Sequence, residues 1–300
     1  MLKIAYDPIY VLPLPEGHRF PMLKYELIPK QLIYEGSCKD ENFFTPEKAE
    51  KLDVLRVHTE TYYNRLVGMQ LDAKEVRKIG FPLTSALVER EQIIAQGTIE
   101  CCYHALKNGI AMNIAGGTHH AYANHGEAFC LLNDQAIAAA HLLDQKLAKR
   151  ILIIDLDVHQ GNGTAHIFKS NRSVFTFSVH GASNYPFKKE ESDLDIALEK
   201  GTTDDDYLSV LDQHMYRIVE SFKPDFIFYL CGVDVLGSDK LGTLNLSLQG
   251  SKARDERVLN LAKEKNIPVV CCMGGGYSKD IKIIVEAHAN TFRAAQDLFF

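Results

Sequence analysis

Short, largely apolar runs alternate with longer segments of helical periodicity from about residue 110 onward. Each run is five or six residues long and is followed by polar residues or glycine, which is typical of strands buried on both faces of a sheet. The predicted strands cover residues 110–114, 151–156, 174–179, 226–231 and 269–273. Because helical segments separate them, we predict an α/β fold of three layers, with helices on both faces of a mostly parallel central sheet.

The helical segments begin at residues that favour helix N-termini. Thr203 precedes three aspartates in the first turn of one helix, and Ser251 is predicted to cap another. The predicted helices cover residues 46–66, 85–107, 133–145, 203–222 and 251–266. No internal repeat and no Pro/Gly/Ser-rich linker interrupts this order, so we expect residues 1–300 to form a single domain.

Composition narrows the range of partners. The net charge is −6, and Lys and Arg do not gather in blocks, so no broad cationic surface is expected for DNA or RNA. The N-terminal segment contains Lys3, Asp7 and Glu16 before any apolar stretch long enough for a signal peptide. No segment approaches the ~20 consecutive apolar residues that span a bilayer. We therefore expect a soluble, cytoplasmic protein that binds neither nucleic acid nor membrane directly.

Polar residues and glycines lie at or just after the ends of all five predicted strands. In chain order they are GGTHHA, DLDVHQGNG, the pair Ser178 and His180, GVD and GGGY. In an open α/β sheet, ligands bind beyond the carboxyl ends of the strands, where the loops converge. Five separate segments therefore predict one functional site at a single edge of the sheet.

A candidate metal site lies in the segment after the strand at 151–156. The two-residue period of an extended chain places Asp155, Asp157 and His159 on one face, while the apolar residues between them turn into the core. Oxygen and nitrogen ligands suit Zn²⁺ or a similar ion, and three protein ligands leave a position open for water. Asp234, at the end of another apolar run, is the best-placed third ligand. A DxD or DxH pattern alone is usually a loop cap or an ion pair, but four other polar strand ends favour the metal site.

His119 and His120 form a second candidate group. Adjacent residues point in different directions, so the pair is poorly suited to chelate one ion, but one ring can face a metal-activated water while the other lies beside it. That arrangement suits acid/base chemistry. The structural alternative is a pair of histidines that only hydrogen-bond a turn, and their position after a Gly-Gly turn makes this alternative weaker.

Three glycines precede Tyr277 in the GGGY segment. Glycine lets the chain pass close to a ligand, which would bring the phenol inward to donate its O–H to an oxyanion. A glycine triplet can also hold a phosphate, but the dinucleotide fingerprint GxGxxG at the start of a helix is absent.

Together these blocks resemble the zinc-dependent histone deacetylase family over roughly residues 17–290. The matching blocks are GGTHHA (116–121), AFCLLND (128–134), DLDVHQGNGT (155–164), FSVH (177–180), GVDVLGSDKLG (232–242) and GGGY (274–277). The DVHQGNGT block and the LSLQGSKARDE stretch (246–256) are most similar to the class IV branch and its bacterial relatives. The resemblance implies an arginase/deacetylase-like fold.

The resemblance also implies two cation sites. One Zn²⁺ per chain would be held by Asp157, His159 and Asp234. A monovalent cation, typically potassium, would lie behind the zinc ligands. Its ligands would be the Asp155 carboxylate, Ser178 and main-chain carbonyls around Asp157, His159 and Val179.

The catalytic set that the resemblance implies is His119, His120, Tyr277, Asp155 and Asn162. His120 would be the general base and then the acid, His119 its electrostatic companion, and Tyr277 the group that polarises the substrate carbonyl. Asn162 stands where several family members carry an Asp that partners the second histidine. Because a neutral amide raises the pKa of its partner less than a carboxylate does, His120 should be more easily neutral at pH 7.

The implied channel for the acyl-lysine chain is lined by Phe129, Phe187, Leu241 and Gly275. The rim aspartate that grips the substrate backbone in the family has no counterpart that the sequence identifies. The peptide contacts are therefore less well defined than the chemistry.

These residues predict a zinc-dependent amidohydrolase that removes acyl groups, acetyl or longer, from lysine side chains of proteins through metal-activated water. A small acetylated amine such as an acetylpolyamine is an alternative substrate. A dimanganese ureohydrolase such as arginase is disfavoured, because Gly161 stands where a further Asp is needed. A non-catalytic acyl-lysine binder is disfavoured by the complete set of metal, histidine and tyrosine residues. The sequence leaves the oligomeric state open.

Overall fold

Eight parallel strands form one sheet in the computed structural model, which describes residues 1–300. The strands are β1 (Lys3–Ala5), β2 (Phe43–Phe44), β3 (Ile110–Asn113), β4 (Ile151–Asp155), β5 (Val174–Gly181), β6 (Leu194–Leu198), β7 (Phe226–Leu230) and β8 (Val269–Cys272). Their order across the sheet is β2-β1-β3-β8-β7-β4-β5-β6, and every neighbouring pair is parallel. The predicted α/β fold with a mostly parallel sheet is confirmed.

Ten α-helices cover the two faces of the sheet. They are α1 (Lys24–Tyr34), α2 (Lys51–Val54), α3 (Glu60–Val67), α4 (Ala73–Ile79), α5 (Ser85–Asn108), α6 (Asp134–Asp144), α7 (Asn162–Phe168), α8 (Asp204–Phe222), α9 (Leu248–Glu264) and α10 (Ile281–Phe299). Helices α1, α10, α9 and α8 pack side by side in that order, and α5 packs against α6. The central layer is therefore shielded from water by helices, as its apolar sequence requires.

All five predicted strands form, and three further strands were not predicted. Strands β4, β7 and β8 are buried at every position and lie inside the sheet, which explains their continuous apolar runs. The unpredicted strands are short or lie at an edge: β1 has three residues, β2 has two, and β6 is half-exposed along its length. Such strands lack a periodic apolar signature.

The predicted continuous helix over residues 46–66 is wrong. The segment forms the two short helices α2 and α3, and Thr59 starts the second by accepting a hydrogen bond from the N–H of Tyr62 over 3.3 Å. Between the two helices, buried His58 accepts from the N–H of Asn133 over 3.0 Å. This contact with a distant segment holds the turn, and no local pattern reveals it.

Ser251 does not cap α9. The cap is Ser247, whose hydroxyl oxygen accepts from the N–H of Gly250 over 2.9 Å, while Ser251 is buried inside the helix. Ser247 also donates to the carboxylate of Asp204 over 2.6 Å, at the start of α8. Both serines suit the N-cap chemically, and the contact between two helices decides which of them is used.

The core is shared by both ends of the chain. One cluster of 79 buried apolar residues reaches from Leu2 in the N-terminal segment to Ala295 in α10. We keep the assignment of residues 1–300 to a single domain as a proposal, which this shared core supports. None of the helices has the length and apolar character needed to cross a bilayer.

Candidate active site

The carboxyl ends of β4, β7 and β8 deliver three of the predicted segments to one edge of the sheet. The N–H of Gly275 donates to Asp157 Oδ2 over 2.8 Å, and the N–H of Val158 donates to Asp234 Oδ1 over 3.0 Å. Segments that are distant in sequence are therefore in direct contact, as the sheet topology predicts.

Asp157, His159 and Asp234 present their ligand atoms within 4.8 Å of one another. His159 Nδ1 lies 3.0 Å from Asp157 Oδ1 and 3.2 Å from Asp234 Oδ2. The exposed fractions of the three residues are 1%, 9% and 0% in sequence order. Two carboxylates buried beside one imidazole concentrate negative charge away from water, which is costly without a cation. The donor set, two oxygens and one nitrogen, fits a zinc ion.

Backbone groups orient the two carboxylates. The N–H donors from Gly275 and Val158 occupy one oxygen of each carboxylate. The other oxygens, Asp157 Oδ1 and Asp234 Oδ2, are the ones that face His159 Nδ1. Fixed outer contacts of this kind hold metal ligands in one geometry before an ion binds.

Two glycines pack directly against these carboxylates. A Cβ at Gly275 would overlap Asp234, and a Cβ at Gly232 would overlap Asp157. Gly275 was expected to line the substrate channel. It does border the inner cavity, and its closest packing is against the candidate metal ligands. The glycines of GVD and GGGY therefore allow two loops to approach the site closely.

The crowding of charge shifts the pKa of two ligands. Burial raises the pKa of Asp234 to about 7, and the negative charge of Asp157 adds to this effect. Burial lowers the pKa of His159, but hydrogen bonds to Asp157 and Asp234 outweigh burial and raise the pKa to about 10. Both shifts show that the position between these residues favours positive charge.

The segment after β4 departs from the predicted extended strand. The ladder of strand hydrogen bonds ends at Asp155, although the apolar residues that follow still alternate inward and are fully buried. Asp157 and His159 face Asp234, whereas the carboxylate of Asp155 turns to His119. Asp155 is therefore apart from the group that can hold the metal.

The two histidines have different partners. His119 Nδ1 and Asp155 Oδ2 are 2.7 Å apart, while His120 Nδ1 and Asn162 Oδ1 are 2.6 Å apart. Burial lowers the pKa of His119, but the charge and hydrogen bond of Asp155 outweigh burial, so the pKa is raised. Burial, together with the charges of His119 and His159, lowers the pKa of His120 well below its usual value. The two shifts are opposite, so a proton is held more readily on His119 than on His120.

Tyr277 completes the group. Its N–H donates to Asp239 Oδ2 over 2.6 Å, and its ring packs edge-on against Phe20 and is tilted against Phe129. Burial and the nearby charge of Asp234 raise the pKa of Tyr277 well above its usual value. The phenol therefore keeps its proton and remains a hydrogen-bond donor.

Comparison with known proteins identifies the family. The sequence model of the histone deacetylase domain family matches residues 18–292. The chain belongs to the histone deacetylase family. An uncharacterized protein of Picosynechococcus sp. is 42% identical over 99% of both chains. Histone deacetylase 2 of Arabidopsis thaliana is 32% identical over 96% of this chain and 77% of its own length.

Solved structures agree with this assignment. A crystal structure of an HDAC homologue complexed with SAHA has a TM-score of 0.85 and 25% identity, covering 99% of this chain and 84% of that one. The HDA15 HD domain has a TM-score of 0.81 and shares the fold at 20% identity, covering 96% of this chain and 89% of that one. The predicted family is confirmed, and the chain is a hydrolase of the deacetylase family.

An outer cavity of about 540 Å³ leads to the site of this deacetylase-family chain. Phe129, Leu241 and Tyr277 line it together with His120 and His159. A smaller cavity, called the inner cavity, is bordered by His119, His120 and His159. The structure therefore places the predicted channel residues Phe129 and Leu241 on the path to the candidate metal site.

Phe187, the remaining aromatic residue predicted for the channel, lies at the mouth of the outer cavity. Its side chain borders the outer cavity but is 91% exposed, at the cavity mouth. Tyr185 faces inward instead, with its ring edge-on to His120 at a centroid distance of 5.0 Å. Both aromatic rings belong to the segment NYPF, and its sequence does not indicate which of them turns inward.

Two of the residues expected to hold the monovalent cation, Asp155 and Ser178, lie on neighbouring strands. Strand β5 runs on to Gly181, so His180 lies inside the strand rather than after it. Asp155 and Ser178 are register partners on β4 and β5 and border the same small cavity. The hydroxyl of Ser178 also lies 3.0 Å from His180 Nδ1.

Sequence reasoning missed Arg254, whose side chain is fully buried next to the segments that carry the candidate metal ligands. Its guanidinium donates to the carbonyl of Leu156 over 3.1 Å and to that of Gly232 over 2.6 Å. It also forms an ion pair with buried Asp255. The only sequence signal for this residue is the adjacent Arg-Asp pair within α9. Such a pair is equally common on exposed helices, so it does not indicate burial.

Proposed function

We propose that this chain is a zinc-dependent deacylase that removes acyl groups from lysine side chains of proteins. The observation that carries this proposal is the convergence of Asp157, His159 and Asp234, next to two cavities that His159, His120 and Tyr277 all border. One buried ligand set supports one zinc ion per chain. When bound there, zinc would supply the Lewis acidity that polarises an acyl carbonyl and lowers the pKa of water toward about 7.

His120 is the proposed general base. Its lowered pKa leaves it neutral at pH 7, and Asn162 occupies Nδ1, so Nε2 is free to take a proton from the attacking water. The same nitrogen then returns the proton to the leaving lysine amine.

His119 is the proposed electrostatic companion. Its contact with Asp155 raises the pKa of the ring, which favours a charged imidazolium beside the developing negative charge. The ring centroids of the two histidines lie 4.0 Å apart, so this charge also keeps His120 from becoming protonated before the reaction.

Tyr277 is the proposed oxyanion donor. Its phenol keeps its proton and borders both cavities. A donor directed at the carbonyl oxygen stabilises the charge that develops as water attacks.

A second cation is proposed for the position behind this site. We propose that potassium binds the Asp155 carboxylate, Ser178 and nearby main-chain carbonyls. The register of β4 and β5 and the shared small cavity support this proposal. The class IV assignment likewise stays a proposal, supported by DVHQGNGT and LSLQGSKARDE.

The cavity mouth favours an acyl-lysine substrate over an acetylpolyamine. Arg19 and Lys78 border the outer cavity, and no carboxylate does. A polyamine cation would therefore lack an opposite charge at the entrance. A dimanganese ureohydrolase is not supported, because the ligand cluster contains three residues and Gly161 adds no carboxylate.

The test is hydrolysis of a panel that includes acetyl-lysine and longer acyl-lysine peptides and acetylated polyamines, with and without a chelator. We expect peptide hydrolysis that the chelator abolishes and that zinc restores. Asp234→Asn should be inactive, whereas Asp212→Asn, on the exposed face of α8, should match the unmodified protein. Chelator-resistant hydrolysis would refute the metal mechanism, and a preference for polyamines would refute the substrate assignment.

A further inference from the structure

Glu127 is a buried carboxylate at the end of a hydrogen-bond chain that reaches His120. Its exposed fraction is 3%, and it borders neither cavity. Glu127 Oε1 accepts from Asn162 Nδ2 over 2.6 Å and from the hydroxyl of Tyr185 over 2.6 Å. Its other oxygen forms an ion pair with Lys78 and lies 3.5 Å from His125 Nε2. A group this buried and this well partnered has a defined orientation.

The charge of Glu127 decides which way the Asn162 amide points. Burial alone would raise the pKa of Glu127, but its several donors outweigh burial and hold the pKa well below its usual range. An ionised carboxylate only accepts hydrogen bonds, so Asn162 must present its NH₂ group to Glu127. The Asn162 oxygen is then directed at His120.

The direction of this amide in turn decides where His120 carries its proton. The amide oxygen only accepts, so His120 Nδ1 must be the protonated nitrogen. Nε2 is left with a free lone pair, which is the form that can act as a base. The Asn162 amide carries no charge, and Lys78 balances the charge of Glu127. The orientation of the His120 ring is therefore fixed without raising the pKa of His120.

We propose that Glu127 is a positioning residue that selects the base-competent tautomer of His120 through Asn162. The proposal rests on the proposed function, in which His120 is the general base. Glu127 and Asn162 together orient the His120 ring, a role that a single carboxylate can fill.

The decisive variant is Glu127→Gln. Lys78 donates and does not accept, so it takes the amide oxygen, and the new NH₂ group faces Asn162 and forces its amide to reverse. His120 should then carry its proton on Nε2. We expect kcat to fall by about 10- to 100-fold, the range for outer partners of catalytic groups, with KM little changed.

The readout that a merely structural role would not move is ¹⁵N NMR of the His120 ring, in protein labelled at histidine. The unmodified protein should show a protonated Nδ1 and an unprotonated Nε2, and Glu127→Gln should exchange these signatures. Tyr185→Phe removes the other hydrogen bond to Glu127 Oε1, and it should leave the nitrogen signatures unchanged. Glu191→Gln is the matched control for kcat, because Glu191 is largely exposed and pairs with Lys169, outside this hydrogen-bond chain.

A rescue variant keeps the proposal testable if the single variant folds poorly. In the double variant Glu127→Gln with Asn162→Asp, the new carboxylate accepts from both neighbours, so Nδ1 of His120 is protonated again. The proposal is overturned if Glu127→Gln retains an unprotonated Nε2, or if the double variant fails to restore it. These NMR outcomes do not depend on substrate, so they stay distinct from a failure of the deacylase assignment.

Discussion

Arg254 donates a hydrogen bond of 2.6 Å to the carbonyl oxygen of Gly232, two residues before the candidate ligand Asp234. The same guanidinium reaches the carbonyl of Leu156, directly before Asp157. One buried side chain therefore links the two loops that carry the candidate metal ligands. The positive charge is matched by Asp255, which also accepts from Tyr229 and Thr291.

Arg254→Met should destabilise the protein and weaken metal binding. The substitution leaves Asp255 buried without its cation, and removing one partner of a buried pair costs about 3–5 kcal/mol. Urea denaturation of the metal-free and zinc-loaded protein measures both effects. Arg257→Met is the control, because its ion pair with Asp212 is largely exposed and should contribute less than about 1 kcal/mol. Equal losses in the two variants would contradict a linking role for Arg254.

Tyr277→Phe should lower kcat by about 10²–10³-fold, the usual effect of removing one oxyanion donor. The variant keeps the ring that packs on Phe20 and Phe129, so the fold and zinc content should not change. Steady-state kinetics and metal analysis on the same preparation check this prediction. Wild-type turnover by a zinc-loaded variant would remove Tyr277 from the mechanism.

Zinc should stabilise the folded chain, because its candidate ligands converge only in that state. At a free zinc concentration 1,000 times the Kd, the gain is about 4 kcal/mol. Asp234→Asn should abolish most of it, whereas Asp212→Asn should retain it. Thermal unfolding at fixed free zinc measures the difference, and native mass spectrometry should find one zinc per chain. Two manganese ions per chain would favour the ureohydrolase alternative.

The Glu35–Arg293 ion pair should make stability depend on pH at the acidic end. Two hydrogen bonds of 2.8 and 2.6 Å from Arg293 join α10 to the end of α1, and hydrogen bonds chiefly from Arg293 lower the pKa of Glu35 to about 2. Because the folded pKa is lower than the unfolded value near 4.5, the contribution is present above pH 4.5. It is lost as the pH falls from there toward 2. Glu35→Gln should cost about 1–2 kcal/mol at pH 7 after solvent screening and almost nothing near pH 2. Denaturation midpoints at both pH values check the sign, and an equal cost at both would contradict it.

The sequence alone determined the central strands and the position of the site. Strands such as β4 and β7 are buried on both faces, so their apolar runs are visible without knowledge of their neighbours. Parallel strands bring their carboxyl ends to one edge, and for this reason the segments with Asp157 and Asp234 had to meet. The glycines of GVD and GGGY are also readable, since their loops approach these carboxylates closely.

Only the tertiary structure decided the features that depend on contacts between distant segments. Ser247 caps α9 rather than Ser251 because Asp204 lies beside it, and Tyr185 rather than Phe187 turns toward His120. The contact between Glu127 and Asn162 joins residues 35 positions apart, and that between Arg254 and Leu156 joins residues 98 apart. A periodic pattern records which face of an element is buried. It does not record which buried polar group meets which, because that depends on how the elements pack against one another.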